Sequence, residues 1–260
     1  MFGPLIHNRQ VLQEIEREGG TVCENLQELS APNVVVRAHG ISRKKFAQLQ
    51  EKCARIFDAT CPFVKSLQDA ARQFSNENFQ VVILGQKDHP ELRAICEDLP
   101  AIQVVEGVGA ARRIDFQEKI ALLSQTTQSE RDFQAVAKVL QEKCRIFAKE
   151  NTICQDVKNR QKAAAALAKE VDLMFVIGGR ESANTRKIFQ IVQDLCQAFQ
   201  IESAAEIPEK VPLNFPWEKV EKVGICTGAS TPIKVALGVK DFLTRSVGQE
   251  ALQDLANPLE

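Results

Sequence analysis

Short apolar runs without a polar break recur along the chain, and amphipathic stretches of helical period separate them. The clearest runs are NVVVRA (33–38), FQVVILG (79–85), KIALLSQ (119–125), DLMFVIGG (172–179) and KVGICTG (222–228). A strand that is apolar on both faces belongs in a parallel sheet with helices on either side. The helices are supplied by RKKFAQLQEKCA (43–54), FVKSLQDAARQFS (63–75), SERDFQAVAKVLQEKC (129–144), NRQKAAAALAKEV (159–171), ANTRKIFQIVQDLCQAF (183–199) and PIKVALGVKDFLTRSV (232–247), with another near 90–98. RIFDAT (55–60) and IQVVEG (102–107) read as further strands, and RIFAKEN (145–151) follows the helix at 129–144.

The pattern predicts an α/β protein. There is no single long βα series, so two or three small modules with mostly parallel sheets are expected rather than one large sheet. Boundaries near 61 and 153 give modules 1–61, 62–152 and 153–247, with a polar tail over 248–260. In 260 residues, 44% of them hydrophobic, there is enough apolar side chain to bury a sizeable core. Charge is nearly balanced, 33 basic against 34 acidic residues, which removes the electrostatic case for a nucleic-acid or membrane-surface partner. No run is long enough to span a bilayer, and MFGPLIHNRQ lacks the apolar core of a secretory signal, so the expected compartment is the cytoplasm.

Eight cysteines are present, at 23, 53, 61, 96, 144, 154, 196 and 226, with no CxxC pair. A cytoplasmic chain of this size is not expected to use them as disulfides. Cys53, Cys144 and Cys196 fall in stretches that read as helix, where cysteine is a small apolar filler. Cys61 and Cys154 differ. Each sits in a short polar loop and precedes or opens a helix, where the free N–H groups favour a thiolate.

Ligands of open α/β sheets bind beyond the carboxyl ends of the strands. The residues there are His39 and Gly40, Cys61, His89 with Pro90 and Glu91, Gln125 to Thr127, Cys154, Ser182 and Asn184, and Ser230 with Thr231. All three histidines of the chain, His7, His39 and His89, lie in loops. Singly, Ser182, Thr126 and Ser230 read as helix caps. Together, hydroxyls, an amide and imidazoles at helix N-termini suit a phosphate or diphosphate. Neither GxGxxG nor GxxxxGK[ST] is present, which disfavours a dinucleotide or nucleoside triphosphate. His-Pro-Glu (89–91) can relay protons to a ligand and can equally mark a helix start. Soft thiolates select zinc, copper(I) or iron–sulfur clusters, but two of them do not close such a site.

GPLIHN, AHGIS, DATCP, HPE, SQTT, ICxxxxNRQ, SANT and TGAST occur in this order from residue 3 to about 245. In them the chain resembles the LytB/IspH family of 4-hydroxy-3-methylbut-2-enyl diphosphate reductases. The resemblance implies a trefoil of three α/β modules around a central [4Fe–4S] cluster on three cysteines, one iron being left open for substrate. It implies the last step of the methylerythritol phosphate route, in which an allylic hydroxyl is removed reductively to give isopentenyl and dimethylallyl diphosphates. Ferredoxin or flavodoxin is the implied electron donor. Cys61 and Cys154 match the second and third cluster ligands. His7, His39 and His89 match histidines of the substrate site, Glu91 the acid that supplies protons, and Thr126 the threonine near the substrate hydroxyl. Ser182, Asn184 and Ser230 match diphosphate ligands.

The departures from the family pattern are specific. The family carries its first cluster cysteine in a βα unit ahead of GPLIHN, whereas this chain begins MFGPLIHN. The expectation is an internal start, with a first module that is incomplete and a labile cluster of weak or absent activity on residues 1–260 alone. Val157 stands where a threonine is usual, Ala183 replaces a serine, and Asp88 precedes His89 where a small residue is common. The rival readings are a relic or diphosphate-binding module without a functional cluster, and a Cys–His hydrolase using Cys61.

Overall fold

The computed structural model describes residues 1–212 and 214–247. The expected tail, 248–260, lies outside them. The chain divides into two compact units: Met1–Ile6 with Gln10–Cys154, and His7–Arg9 with the chain from Gln155 on.

The first unit holds two sheets, both parallel. After helix α1 (Arg9–Arg17), strand β1 (Asn33–Val36) crosses through α2 (Arg43–Lys52) to β2 (Arg55–Asp58), and these pair from Asn33↔Arg55 to Val36↔Asp58. Phe2 forms isolated parallel bridges with Cys23 and Val36. Its ring joins Val34, Val36, Ile41 and Leu49 in a small core. Helix α2 starts where Ser42 accepts a bond from the Lys45 N–H, and Asp98 accepts one from the Arg43 N–H.

The second sheet is built by α3 (Pro62–Asn76), β3 (Gln80–Leu84), α4 (Pro90–Asp98), β4 (Gln103–Val105), α5 (Val108–Ala111), β5 (Gln117–Ser124), α6 (Glu130–Gln141) and β6 (Cys144–Lys149). Its order is β4-β3-β5-β6. The two central strands are the runs with no polar break, as their double-sided burial requires: Val81 to Leu84 and Ile120 to Ser124 are all buried. From α3 and α4, Leu67, Ala70, Ala71, Leu92 and Ile95 pack on Val81, Ile83 and Leu123.

The second unit contains α7 (Gln155–Leu167), β7 (Leu173–Ile177), α8 (Ala183–Gln193), β8 (Gln197–Ile201), α9 (Ile207–Lys210), β9 (Val223–Thr227) and α10 (Ile233–Val247). Its parallel sheet has the order β8-β7-β9. The period of two on β7 divides the core. Leu173, Phe175 and Ile177 face Val235, Val239 and Leu243 of α10, while Met174 and Val176 pack with Ala164 of α7 and Ile188 and Val192 of α8.

The α/β class with parallel sheets holds, and three element readings change. The stretch 183–199 is not one helix: α8 ends at Gln193 and β8 begins at Gln197, so Cys196 lies in the turn between them. Apolar residues at Ile188, Val192, Leu195 and Phe199 keep helical spacing through that turn, which hides it in the sequence. Phe199 is held in the sheet by packing on the Phe175 and Phe215 rings, at centroid distances of 6.0 and 5.7 Å. Cys144 likewise leaves the helix and opens β6, paired opposite Gln117. Cys53 caps α2 rather than lying within it. No helix among the described residues is long and apolar enough to cross a membrane.

Candidate functional site

In the first unit the loops beyond β1, β2, β3, β5 and β6 carry the predicted residues, and a chain of contacts links them. His89 is the N-cap of α4, with Pro90 as the first helical residue, where no N–H is missed. The Glu91 N–H donates to Nδ1 of His89 at 3.3 Å. The helix-start reading of His-Pro-Glu therefore holds, and that start fixes the backbone of the acid.

The Glu91 side chain is 1% exposed. Its Oε1 accepts the Thr126 N–H and its Oε2 accepts the Thr126 hydroxyl, both at 2.9 Å. Burial raises the pKa of this carboxyl from 4.5 to about 7, against the two Thr126 bonds, which favour the charged form. An acid poised near neutrality can both hold and release a proton. Thr126 is thus no helix cap; its hydroxyl serves the carboxylate. Gln125, fully buried beside it, accepts the Gln86 N–H at Oε1 and donates from Nε2 to Thr127, tying the loops after β3 and β5 together.

Two thiols flank this carboxyl–threonine pair along the chain of contacts. Cys154 donates its N–H to the Thr126 carbonyl at 2.9 Å and stands immediately before α7. Cys61 is the N-cap of α3, with no side-chain capping bond, and donates its N–H to the carbonyl of Ala38 at 2.9 Å. The next residue, His39, sets its ring edge-on to His89 with centroids 5.3 Å apart. Gly40 has φ +72°, and a Cβ there would lie 2.9 and 3.0 Å from the Gln68 and Thr60 side chains, so the His-Gly turn accepts only glycine without strain. The loop before Cys61 is braced by Asp58, which accepts the Thr60 N–H and pairs with Lys65 at 2.6 Å. Burial would raise the Asp58 carboxyl, but the bonds from Lys65 and Thr60 outweigh it and hold it below its usual value.

Four of the other cysteines behave as fillers. Burial pushes the thiols of Cys96, Cys144 and Cys196 up, and that of Cys226 to about 12. Cys61 and Cys154, both half-buried in loops at helix starts, have the donor chemistry that iron–sulfur clusters use, and they supply two thiolates.

In the second unit Ser182 is the N-cap of α8 and accepts the Thr185 N–H at 3.3 Å, so its cap reading holds. Asn184, in the first turn, is 4% exposed. Among the described residues neither its Nδ2 nor its Oδ1 has a hydrogen-bond partner, and the buried Thr185 hydroxyl has none either. A buried polar group left unpaired costs about 1–3 kcal/mol, so an amide kept this way at a helix N-terminus points to a ligand. Ser230 is half-buried in the loop after β9, and its carbonyl accepts a bond from Nδ2 of Asn8 at 3.0 Å. Thr231 donates its hydroxyl to the carbonyl of Ile177 at 3.2 Å, joining that loop to the end of β7. His7 belongs to this unit through its backbone: a Cβ on Gly179 would meet the His7 carbonyl oxygen at 2.4 Å.

Val157 is 3% exposed in α7, a place that suits an apolar side chain, and Ala183 is the first residue of α8. Two contributors escape a reading of the sequence, Thr152 and Thr185; Thr185 closes SANT and Thr152 directly precedes ICxxxxNRQ, and that placement is the only signal.

The family model described as LytB protein matches residues 1–244. A 4-hydroxy-3-methylbut-2-enyl diphosphate reductase of Caldanaerobacter subterraneus is 38% identical over 238 residues, covering 89% of this chain and 80% of the relative. One from Geobacter metallireducens is 38% identical over 237 residues, covering 89% and 81%. Among solved structures, the E-1-hydroxy-2-methyl-but-2-enyl-4-diphosphate reductase of Plasmodium falciparum superposes with a TM-score of 0.89 at 25% identity, over 99% of this chain and 82% of that one. A second, an (E)-4-hydroxy-3-methyl-but-2-enyl diphosphate reductase, gives 0.63 at 32% identity, over 94% and 87%. With matching this extensive in both sequence and fold, the chain belongs to the LytB family.

Proposed function

We propose that this chain is a 4-hydroxy-3-methylbut-2-enyl diphosphate reductase, acting at the last step of the methylerythritol phosphate route. It converts its allylic diphosphate to isopentenyl and dimethylallyl diphosphates. The reaction breaks the allylic C–O bond, forms a C–H bond and releases water, consuming two electrons and two protons. The observation that carries the reading is the buried Glu91–Thr126 pair, a proton donor near neutral pH held in the loop cluster that also carries Cys61 and Cys154.

Cys61 and Cys154 are the residues that would supply two of the thiolates of a [4Fe–4S] cluster, the prosthetic group the family implies. When bound, the cluster supplies the electrons and an open iron for the substrate oxygen. Glu91 gives a proton to the departing hydroxyl, and Thr126 orients that carboxyl. His7, His39 and His89 offer imidazoles to the substrate, and Ser182, Asn184 and Ser230 offer polar groups to its diphosphate; the Asn184 amide, buried without a partner among the described residues, supports that role. The electrons come from a carrier of the ferredoxin or flavodoxin class, and the compartment is the cytoplasm.

Anaerobic reconstitution with iron and sulfide tests the reading, followed by turnover of the allylic diphosphate with a chemical reductant. Product formation lost in Glu91→Gln supports it. Turnover unchanged by Glu91→Gln would sink it. The Asn184 amide also favours a second reading, a diphosphate-binding module with no redox role. Pyrophosphate binding by a chain that takes up no iron would select that one.

A further inference from the structure

The β5–β6 ladder continues past the end of β6 in an altered form. Glu150 donates its N–H to the Leu122 carbonyl at 3.0 Å, and two steps on, Cys154 donates to the Thr126 carbonyl at 2.9 Å. Between them the ladder should pass through Ser124 and Thr152. There the backbone turns away: the Thr152 N–H bonds back to the Glu150 carbonyl at 3.1 Å. The Thr152 hydroxyl fills the gap. It accepts the Ser124 N–H at 2.9 Å and donates to the Ser124 carbonyl at 2.5 Å. A hydroxyl is one donor and an acceptor, so a single oxygen replaces both groups that the backbone withdrew. Thr152 is 7% exposed and Ser124 fully buried, so water does not take over readily.

The geometry points to Thr152 as a positioning residue that sets Cys154 in register with Thr126, and through Thr126 with Glu91. The hydroxyl bonds make the chain rejoin β5 two residues later, and Cys154 is the residue that rejoins. Asn151 helps the same turn, its Oδ1 accepting the Ile153 N–H at 3.2 Å. Valine in place of Thr152 keeps the shape and removes both bonds; serine keeps them. This inference rests on the proposed reading only in making Cys154 an iron ligand, and the register itself is measurable without iron.

The test is hydrogen exchange of the metal-free, 260-residue chain, comparing wild type, Thr152→Val and Thr152→Ser. In Thr152→Val the Ser124 and Cys154 amides are expected to exchange at least about tenfold faster while the Glu150 amide is unchanged, and Thr152→Ser to restore both. Equal acceleration at Glu150 would mean general loosening, and no acceleration at Cys154 would mean that Thr152 does not set it; either overturns the inference. The second readout is iron retention after anaerobic reconstitution, expected to be shorter-lived in Thr152→Val than in wild type or Thr152→Ser. Equal retention in all three overturns the link from register to ligand. If wild type itself takes up no iron, the cluster reading fails, while the exchange result still decides the positioning role.

Discussion

Thr126 directs both of its donors at one carboxylate: its N–H meets Oε1 of Glu91 and its hydroxyl meets Oε2, each at 2.9 Å. These two bonds oppose burial, which by itself favours the protonated acid. Removing the hydroxyl with Thr126→Val should raise the Glu91 pKa further above 7 by about one to two units, since a hydrogen bond to a charged group contributes about 1.5–3 kcal/mol. The limb of the activity–pH profile that reports this acid should move up accordingly, and Thr126→Ser should bring it back. An unmoved limb would mean that the hydroxyl does not tune the acid.

The same carboxyl makes stability depend on pH. Its folded pKa of about 7 lies above its ordinary 4.5, so between these values the folded chain binds the extra proton. Its contribution is therefore complete below about pH 4.5 and is lost as pH rises through 7, a swing of about 3 kcal/mol. Urea titrations at pH 5 and pH 8 should show this loss in wild type and a much flatter dependence in Glu91→Gln. Turnover of Glu91→Gln should fall by about 10²-fold or more.

The unpaired Asn184 amide makes a prediction of opposite signs. Asn184→Leu relieves a buried polar group with no partner among the described residues, so the ligand-free chain should be as stable as wild type or up to about 2 kcal/mol more stable. It should at the same time lose the rise in melting temperature that pyrophosphate gives wild type. Melting curves with and without pyrophosphate measure both. An equal rise in the two proteins would remove Asn184 from the diphosphate site.

Cys61 and Cys154 can be separated from the other thiols by what their loss changes. Cys61 makes no capping bond, and both thiols are half-buried, so Cys61→Ser and Cys154→Ser should each cost less than about 1 kcal/mol of stability. Each should lose at least about half of the iron bound after anaerobic reconstitution, whereas Cys144→Ser should lose none. Iron assay and visible absorbance decide it.

Gly179 tests the second unit's frame. A methyl group there would stand 2.4 Å from the His7 carbonyl oxygen, a backbone atom that moves only with its loop. Gly179→Ala should destabilise the chain by about 1–3 kcal/mol, the range for overpacking, read as a lower urea midpoint.

Much of the fold was legible in the sequence for one physical reason. Strands β3, β5 and β7 are buried on both faces, and such strands must be written without a polar break. Edge strand β8 is only half-buried, so QAFQI carried no such mark, and the apolar spacing from Ile188 to Phe199 imitated a helix. Site residues surfaced because histidines and loop cysteines are scarce and gather at strand ends. What stayed hidden was relational. SQTT and HPE named Thr126 and Glu91, but not that one residue spends two donors on the other. The role of Thr152 depends on the register between β5 and β6, and the unpaired state of Asn184 on everything packed around it.

The bond from the Glu91 N–H to Nδ1 of His89 also decides a tautomer. A nitrogen that accepts cannot carry hydrogen, so the neutral His89 ring bears its proton on Nε2. The donor that this imidazole can offer is therefore chosen by the start of a helix and not by whatever it meets. Nitrogen NMR of the ring should find the assignment already made in the empty protein.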